Sequence, residues 1–240
     1  MSNQDPAAVV AEAEQAGEKL AQVRAEIGKA VFGQERVIEL ALAAVLAGGH
    51  VLLVGAPGLA KTRLVEAMAR VLGLDWARVQ FTPDLMPADI LGSEVLDQDQ
   101  AGKRHFRFVK GPIFTQLLMA DEINRASPRT QSALLQAMQE HHVTVAGQAH
   151  EVPRPFHVLA TQNPIEHEGA YPLPEAQLDR FLLQVDVPYP DAEIERRILI
   201  ETTGLEDVRP LAVLNASELL RLQQLVRAMP VGEKVLASIL

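Results

Sequence analysis

The chain has 240 residues, 48% of them hydrophobic and 22% charged, with a net charge of −9 and no cysteine. That composition suits one α/β core plus a small appendage. It excludes disulfides and thiolate metal sites, and it weighs against a non-specific nucleic-acid coat, which needs a basic face. No apolar run approaches the roughly 18 residues of a membrane span, and the polar start Met1–Pro6 lacks a secretory pattern, so a cytoplasmic location is expected.

Val9, Val10, Ala13, Ala16, Leu20, Val23 and Ile27 recur at helical spacing and predict an amphipathic helix over Pro6–Val31, interrupted near Gly17. Phe32-Gly33-Gln34 breaks the pattern, and Glu35–Ala47 reads as a second helix closed by Gly48-Gly49. An apolar strand, His50–Val54, then runs into Gly55-Ala56-Pro57-Gly58-Leu59-Ala60-Lys61-Thr62 and a helix from about Ala60 to Leu72. Strand, Gly/Pro loop and helix in that order turn several backbone N–H groups and a helix N-terminus toward one point, which is a phosphate site. Lys61 would reach the β/γ-phosphates, and the Thr62 hydroxyl would bind Mg²⁺. The general pattern G-x-x-x-x-G-K-[ST] asks for glycine at position 60. Ala60 stands there, which is expected to require a negative φ. The alternative is an ordinary strand–turn–helix joint with a chance Lys-Thr.

Trp76–Phe81 reads as a strand, Asp84–Ile90 as a short helix, and Ser93–Asp97 with His105–Val109 as a hairpin around Gln98–Arg104. Gln116–Ala120 is a buried strand ending in Asp121-Glu122. Ser127 caps a helix Pro128–Gln139. His142–Val145 and His150–Val152 form a hairpin around Ala146–Ala149, Phe156–Thr161 is a strand running into Gln162-Asn163-Pro164, Pro174–Phe181 a short helix, and Leu182–Val187 the last strand. Pro188 and Pro190 mark a hinge, after which Asp191–Thr203, Ser217–Met229 and a start near Gly232 are helical. The expected fold is therefore α/β: a five-stranded, mostly parallel sheet covered by helices on both faces, followed by a small helical lid. The expected division is residues 1–190 for the nucleotide-binding core and 191–240 for the lid. The lid is expected to be incomplete, since the chain stops at Leu240 in an apolar stretch without a cap.

In such sheets ligands bind at the carboxyl ends of the strands, and the candidate residues follow strand ends. Two acids closing a buried strand are costly unless they have partners or work. Asp121 would hold the Mg²⁺ shared with Thr62, and Glu122 would polarise the attacking water. The alternative is a capping acid, or an ion pair with Arg125 or Arg129. Asn163 could hydrogen-bond the γ-phosphate, or be a turn residue before Pro164. Arg180 offers a planar fork for phosphate oxygens of a neighbouring subunit, or a surface ion pair with Asp179 or Glu175; Arg125 competes for the same role. The seven histidines have no metal-ligand spacing, and His141-His142 reads as the entry to a hairpin.

Taken together these segments resemble the AAA+ ATPases, specifically the MoxR family. The loop Gly55–Thr62, with alanine in place of the last glycine, is similar to that family's form of the motif. Further matches are Gln80–Gly92, Gly111-Pro-Ile-Phe114, Ala120-Asp-Glu-Ile-Asn-Arg-Ala126, Thr130–Leu135, Ala160–Glu166, Glu168-Gly169 and Tyr171–Phe181. The resemblance implies a P-loop NTPase (AAA+) fold, ATP and Mg²⁺ as ligands, and ATP hydrolysis. It implies Gly55, Ala56, Pro57, Gly58, Leu59, Ala60, Lys61, Thr62 and Arg63 at the phosphates (Walker A), Asp121 and Glu122 as Walker B, and Asn163 as sensor 1. It makes Arg180 the arginine finger given to the next subunit and lays Phe32, Gly33 and Gln34 along the adenine. It also implies a homo-oligomeric ring (a hexamer) and chaperone-like work on protein clients, among them von Willebrand factor A domain proteins, through the hairpins Ser93–Val109 and His142–Val152. The family's sensor 2 arginine belongs to a later lid helix. Alternatives of another class are a nucleotide-gated scaffold with little hydrolysis and a DNA-remodelling relative. Retention of Glu122 weighs against the first, and the −9 charge with only 4% aromatics against the second.

Overall fold

Three short strands carry the core, and each is apolar on both sides. Val51 and Leu53 of one strand pack on one face of the sheet while Leu52 packs on the other; Leu117 and Met119 divide from Leu118 and Ala120 in the same way, and Leu159 from Val158 and Ala160. Continuous apolar runs of this kind belong to strands covered on both faces. The computed structural model describes residues 6–98, 102–164, 171–202 and 209–239. Part of the predicted Gln98–Arg104 loop, the Glu168-Gly169 motif, Thr203 and Leu240 lie outside the described residues.

The first half contains α1 (Pro6–Gly28), α2 (Glu35–Leu46), β1 (Val51–Val54), α3 (Lys61–Val71), β2 (Trp76–Gln80), α4 (Pro87–Leu91), β3 (Gly92–Gln98), β4 (Arg104–Lys110) and β5 (Leu117–Asp121). The second contains α5 (Pro128–Glu140), β6 (His142–Val145), β7 (Gln148–Glu151), β8 (His157–Gln162), α6 (Glu175–Leu178), β9 (Leu183–Asp186), α7 (Ala192–Thr202), α8 (Ala216–Ala228) and α9 (Glu233–Ile239). The main sheet has five strands in the order β2-β5-β8-β1-β9, with every neighbouring pair parallel. These are the five strands the apolar runs predict. The order β5-β8-β1 puts the ends of three of them side by side, so the residues after Val54, Asp121 and Gln162 meet at one rim.

One face is covered by α1, α2 and α3, joined by Leu214 and Leu219 from the α8 region; the other is covered by α4, α5 and the segment around Val143 and Val152. β3–β4 and β6–β7 are antiparallel hairpins outside the sheet. Phe108 of β4 stacks on His150 of β7, with ring centroids 4.0 Å apart, and ties the two hairpins together.

Several local expectations shift, each for a physical reason. The first helix runs through Gly17 without a break. One exposed glycine costs a helix only about 1 kcal/mol, and the fully buried Val23 and Ile27 anchor the helix further along. The helix expected over Asp84–Ile90 begins at Pro87, because the residue before a proline is held extended and Met86 has φ −98° and ψ 154°. The loop expected over Ala146–Ala149 is a two-residue turn: Ala146 (φ 48°) and Gly147 (φ 81°) both lie in the left-handed region, and Val145 pairs with Gln148. That backbone twist matches the flanking strands. Ser127 caps α5 as expected, its hydroxyl accepting from the Thr130 N–H.

Candidate functional site

The loop between β1 and α3 is built around close backbone approaches. A side chain at Gly55 would come within 2.9 Å of the Val187 carbonyl oxygen and 3.0 Å of Val187 Cβ, so only glycine fits. Gly58 has φ +83°. Ala60, at the N-cap of α3, has φ 55° and ψ 20°. The expectation of a negative φ at Ala60 is therefore wrong. Alanine sits in the left-handed region, at a cost of about 1–2 kcal/mol. Its side chain is exposed, so sterics outside the residue do not oppose it.

A cavity of about 400 Å³ opens over this loop, lined by Pro57, Gly58, Leu59, Ala60, Lys61, Thr62 and Arg63 on one side. Arg78, Gln80, Asp121, Glu122, Thr161 and Asn163 close the other side. The loop, both acids and the candidate asparagine thus share one pocket. Gly55 and Ala56 are buried beneath it. Lys61 Nζ donates to the carbonyl oxygens of Gly55 and Ala56, both at 2.7 Å. Partial burial pushes the Lys61 pKa below its ordinary value, against the opposing pull of the Asp121 and Glu122 charges.

The two acids are held by a network that spans three strands. Asp121 Oδ1 accepts from Thr161 Oγ1 at 2.5 Å, and Asp121 Oδ2 accepts from Arg78 Nη2 at 2.5 Å and Nε at 3.1 Å. The Glu122 N–H donates to Thr161 Oγ1 at 2.8 Å. Glu122 Oε2 accepts from Gln80 Nε2 at 2.7 Å and from Arg125 Nη1 at 2.9 Å. Gln80 Oε1 accepts in turn from Arg78 Nη2 at 2.9 Å. Glu122 itself is left-handed, at φ 55° and ψ 50°. A non-glycine residue stays in that region only when its surroundings over-determine it. Asn163 is buried at the pocket wall.

Arg78 lies outside the motif segments, and Gln80 and Thr161, which lie inside them, receive no role from the motif-based reading. Their signal is periodicity: Arg78 and Gln80 alternate on one face of β2, and Gln80 is in register with Asp121. Of the alternatives weighed for Glu122, the ion pair with Arg125 is present.

The remaining candidates lie elsewhere. Arg180 Nη1 donates to the Leu135 carbonyl oxygen at 2.7 Å. It shares a cavity with His50, Met138, Gln139, Ala176 and Asp179, at the amino end of the strands and away from the phosphate-loop rim. Phe32, Gly33 and Gln34 lie under α7. Arg197 stacks over the Phe32 ring at 4.9 Å, Ile194 fills the space a side chain at Gly33 would take, and Gln34 Nε2 donates to the Pro188 carbonyl oxygen at 3.1 Å. The Gln34 Oε1 atom is buried without a partner.

These residues fit a nucleotide and a hard cation. Thr62, Asp121 and Glu122 offer oxygen ligands of the type Mg²⁺ takes. The helix N-terminus and Lys61 face the same space with positive charge, and Gln34 offers an unsatisfied acceptor along the strip next to α7. Among the described residues no cluster of three or more His, Cys, Asp or Glu side chains could hold a metal ion, and no helix is long and apolar enough to cross a membrane.

Comparisons with known proteins agree with this geometry. Residues 50–183 match the model of the ATPase family associated with various cellular activities (AAA). Chaperone MoxR1 of Mycobacterium tuberculosis is 48% identical over 200 residues, covering 83% of this chain and 52% of that protein. Protein MoxR of Methylorubrum extorquens is 37% identical over 185 residues, covering 75% of this chain and 52% of that one. The crystal structure of a "putative ATPase" from Cytophaga hutchinsonii superposes with a TM-score of 0.81 at 39% identity, covering 92% of this chain and 69% of that chain. The chain spans about half the length of the curated relatives it matches. With the matched segment running from the start of β1 to the start of β9, the chain belongs to the AAA ATPases and, within them, to the MoxR family.

Proposed function

We propose that this chain binds Mg²⁺–ATP between the Gly55–Thr62 loop and the acids Asp121 and Glu122, and hydrolyses it to ADP and phosphate. The observation that carries this reading is the single cavity lined by Lys61, Thr62, Asp121, Glu122 and Asn163. The loop amides and Lys61 would bind the phosphates, and Thr62 with Asp121 would hold the cation. The cation's chemistry would be to neutralise charge on the β- and γ-phosphate oxygens. Glu122 would take a proton from the water whose oxygen attacks the γ-phosphorus. The bond to the β-γ bridging oxygen then breaks and ADP leaves. Asn163 would orient that water. The strip Phe32–Gln34 would carry the adenine.

Arg180 is proposed to serve a neighbouring subunit in a homo-oligomeric ring, a hexamer. Its position at the amino end of the strands supports a role outside its own pocket. Such a residue is worth about 10³–10⁵ in rate where it has been measured. Residues 1–190 are proposed as the core and 191–240 as a lid hinged at Pro188–Pro190. The output is proposed to be chaperone-like work on client proteins, in keeping with the name of the mycobacterial relative, and the clients are proposed to include proteins with von Willebrand factor A domains.

A second reading, a nucleotide-gated scaffold that turns over little, is favoured by one observation: Gln80 and Arg125 both engage Glu122. Steady-state hydrolysis by the wild type and by Glu122→Gln decides between them. A loss of at least about a hundredfold, the scale of removing a positioned acid–base group, supports hydrolysis. Equal rates support the scaffold.

A further inference from the structure

We infer that Arg78 is a positioning residue that competes with the divalent cation for Asp121: its guanidinium holds the carboxylate and must release it for the metal to bind. This rests on the Mg²⁺–ATP reading above. Asp121 has a side-chain exposure of 11%, so it cannot satisfy its charge from water and needs a cation or donors nearby. Arg78 supplies both, with two contacts on Oδ2. Thr161 occupies Oδ1. A carboxylate spoken for in this way presents little acceptor capacity to a metal or its water shell. A guanidinium 2.5 Å away also repels an approaching divalent ion.

Arg78 is placed to let go. It sits on β2, the edge strand of the sheet, and its side chain is 45% exposed, so its charge can return to solvent without a buried cation being left behind. Its other contact makes the release consequential. Arg78 Nη2 also donates to Gln80 Oε1, and Gln80 Nε2 donates to Glu122 Oε2. One edge-strand arginine therefore links the acid proposed for the metal to the acid proposed for water. Withdrawing Arg78 from Asp121 removes the partner that orients the Gln80 amide toward Glu122.

The test measures metal dependence rather than turnover. Binding of a fluorescent non-hydrolysable ATP analogue to the full chain is titrated with Mg²⁺, and bound Mn²⁺ is counted in parallel by electron paramagnetic resonance. Arg78→Gln is expected to lower the divalent midpoint about three- to tenfold, the scale set by a partly exposed charge contact. Arg78→Lys, which keeps the charge but loses the fork, is expected to stay within about twofold of the wild type. A midpoint for Arg78→Gln that is unchanged or raised overturns the inference, because a merely supporting arginine would loosen the metal site when removed. Should Arg78→Gln fail to fold, Arg78→Met and Arg78→Lys are compared in the same way, and a Met midpoint no lower than the Lys midpoint overturns it. Wild-type protein that binds no nucleotide at any metal concentration instead overturns the Mg²⁺–ATP reading.

Discussion

Replacing Ala60 by glycine should stabilise this protein. Ala60 is at φ 55° and ψ 20°, where a Cβ costs about 1–2 kcal/mol. Glycine removes that cost but gives the unfolded chain more freedom, worth about 0.5–1 kcal/mol in the opposite direction. Ala60 is also the N-cap of α3 and makes no side-chain cap bond, so nothing is lost there, and glycine is the better N-cap of the two. The side chain is exposed, so no packing is lost either. The balance is a gain of about 1 kcal/mol, or a rise in Tm of about 2–4 °C for a chain of this size. Differential scanning fluorimetry without nucleotide reads this directly. Ala56→Gly is the control: Ala56 is only 5% exposed and is not among the described residues with positive φ, so there the change should lower Tm. A Tm for Ala60→Gly at or below the wild type would refute the assignment of strain to this loop, and so would a rise of equal size in the control.

Three further outcomes follow from the same geometry. Stability should fall between pH 6.5 and 5. The buried His50 ring accepts the Val158 N–H at 2.9 Å, and burial holds its pKa down at about 4; burial likewise lowers His157, which contacts the Gly49 carbonyl oxygen at 2.9 Å and Gln223 Nε2 at 3.0 Å. The unfolded chain therefore takes up these protons first as pH drops below about 6.5, costing about 2 kcal/mol at pH 5 for His50 alone; urea midpoints that do not change over that window would contradict it. Lys61→Ala should abolish binding of a fluorescent ATP analogue yet leave the far-UV circular dichroism spectrum unchanged, since among the described residues Lys61 Nζ bonds only carbonyls of its own loop; retained micromolar affinity would refute its role. Arg180→Ala should keep nucleotide binding and lose hydrolysis, and mixing it with Glu122→Gln subunits should restore part of the rate; mixed assemblies of verified composition that stay inactive would argue against action on a neighbour.

The strands and the phosphate loop were legible in the sequence because their physical signals are local. A run such as Leu117-Leu118-Met119-Ala120 is apolar on both faces and can hardly be anything but a doubly covered strand. A glycine such as Gly55 reports a close backbone approach wherever it is required. The conformation of Ala60 was not legible, because the penalty for a left-handed alanine is small enough for the rest of the loop to absorb. The two-residue turn at Ala146-Gly147 was hidden for a similar reason, with alanine where asparagine or aspartate would have signalled it. The clamp on the acids depends on which strand neighbours β5. Arg78 and Gln80 acquire meaning only once β2 is known to pair beside Asp121, an adjacency set by the sheet rather than by residue spacing.

The most direct measurement is a crystal structure of the chain with Mg²⁺ and a non-hydrolysable ATP analogue. Density for the triphosphate along the backbone of Gly55–Thr62, with the metal beside Thr62 and Asp121, is the outcome expected. A nucleotide bound elsewhere, or a metal near neither residue, would contradict the assignment of this pocket.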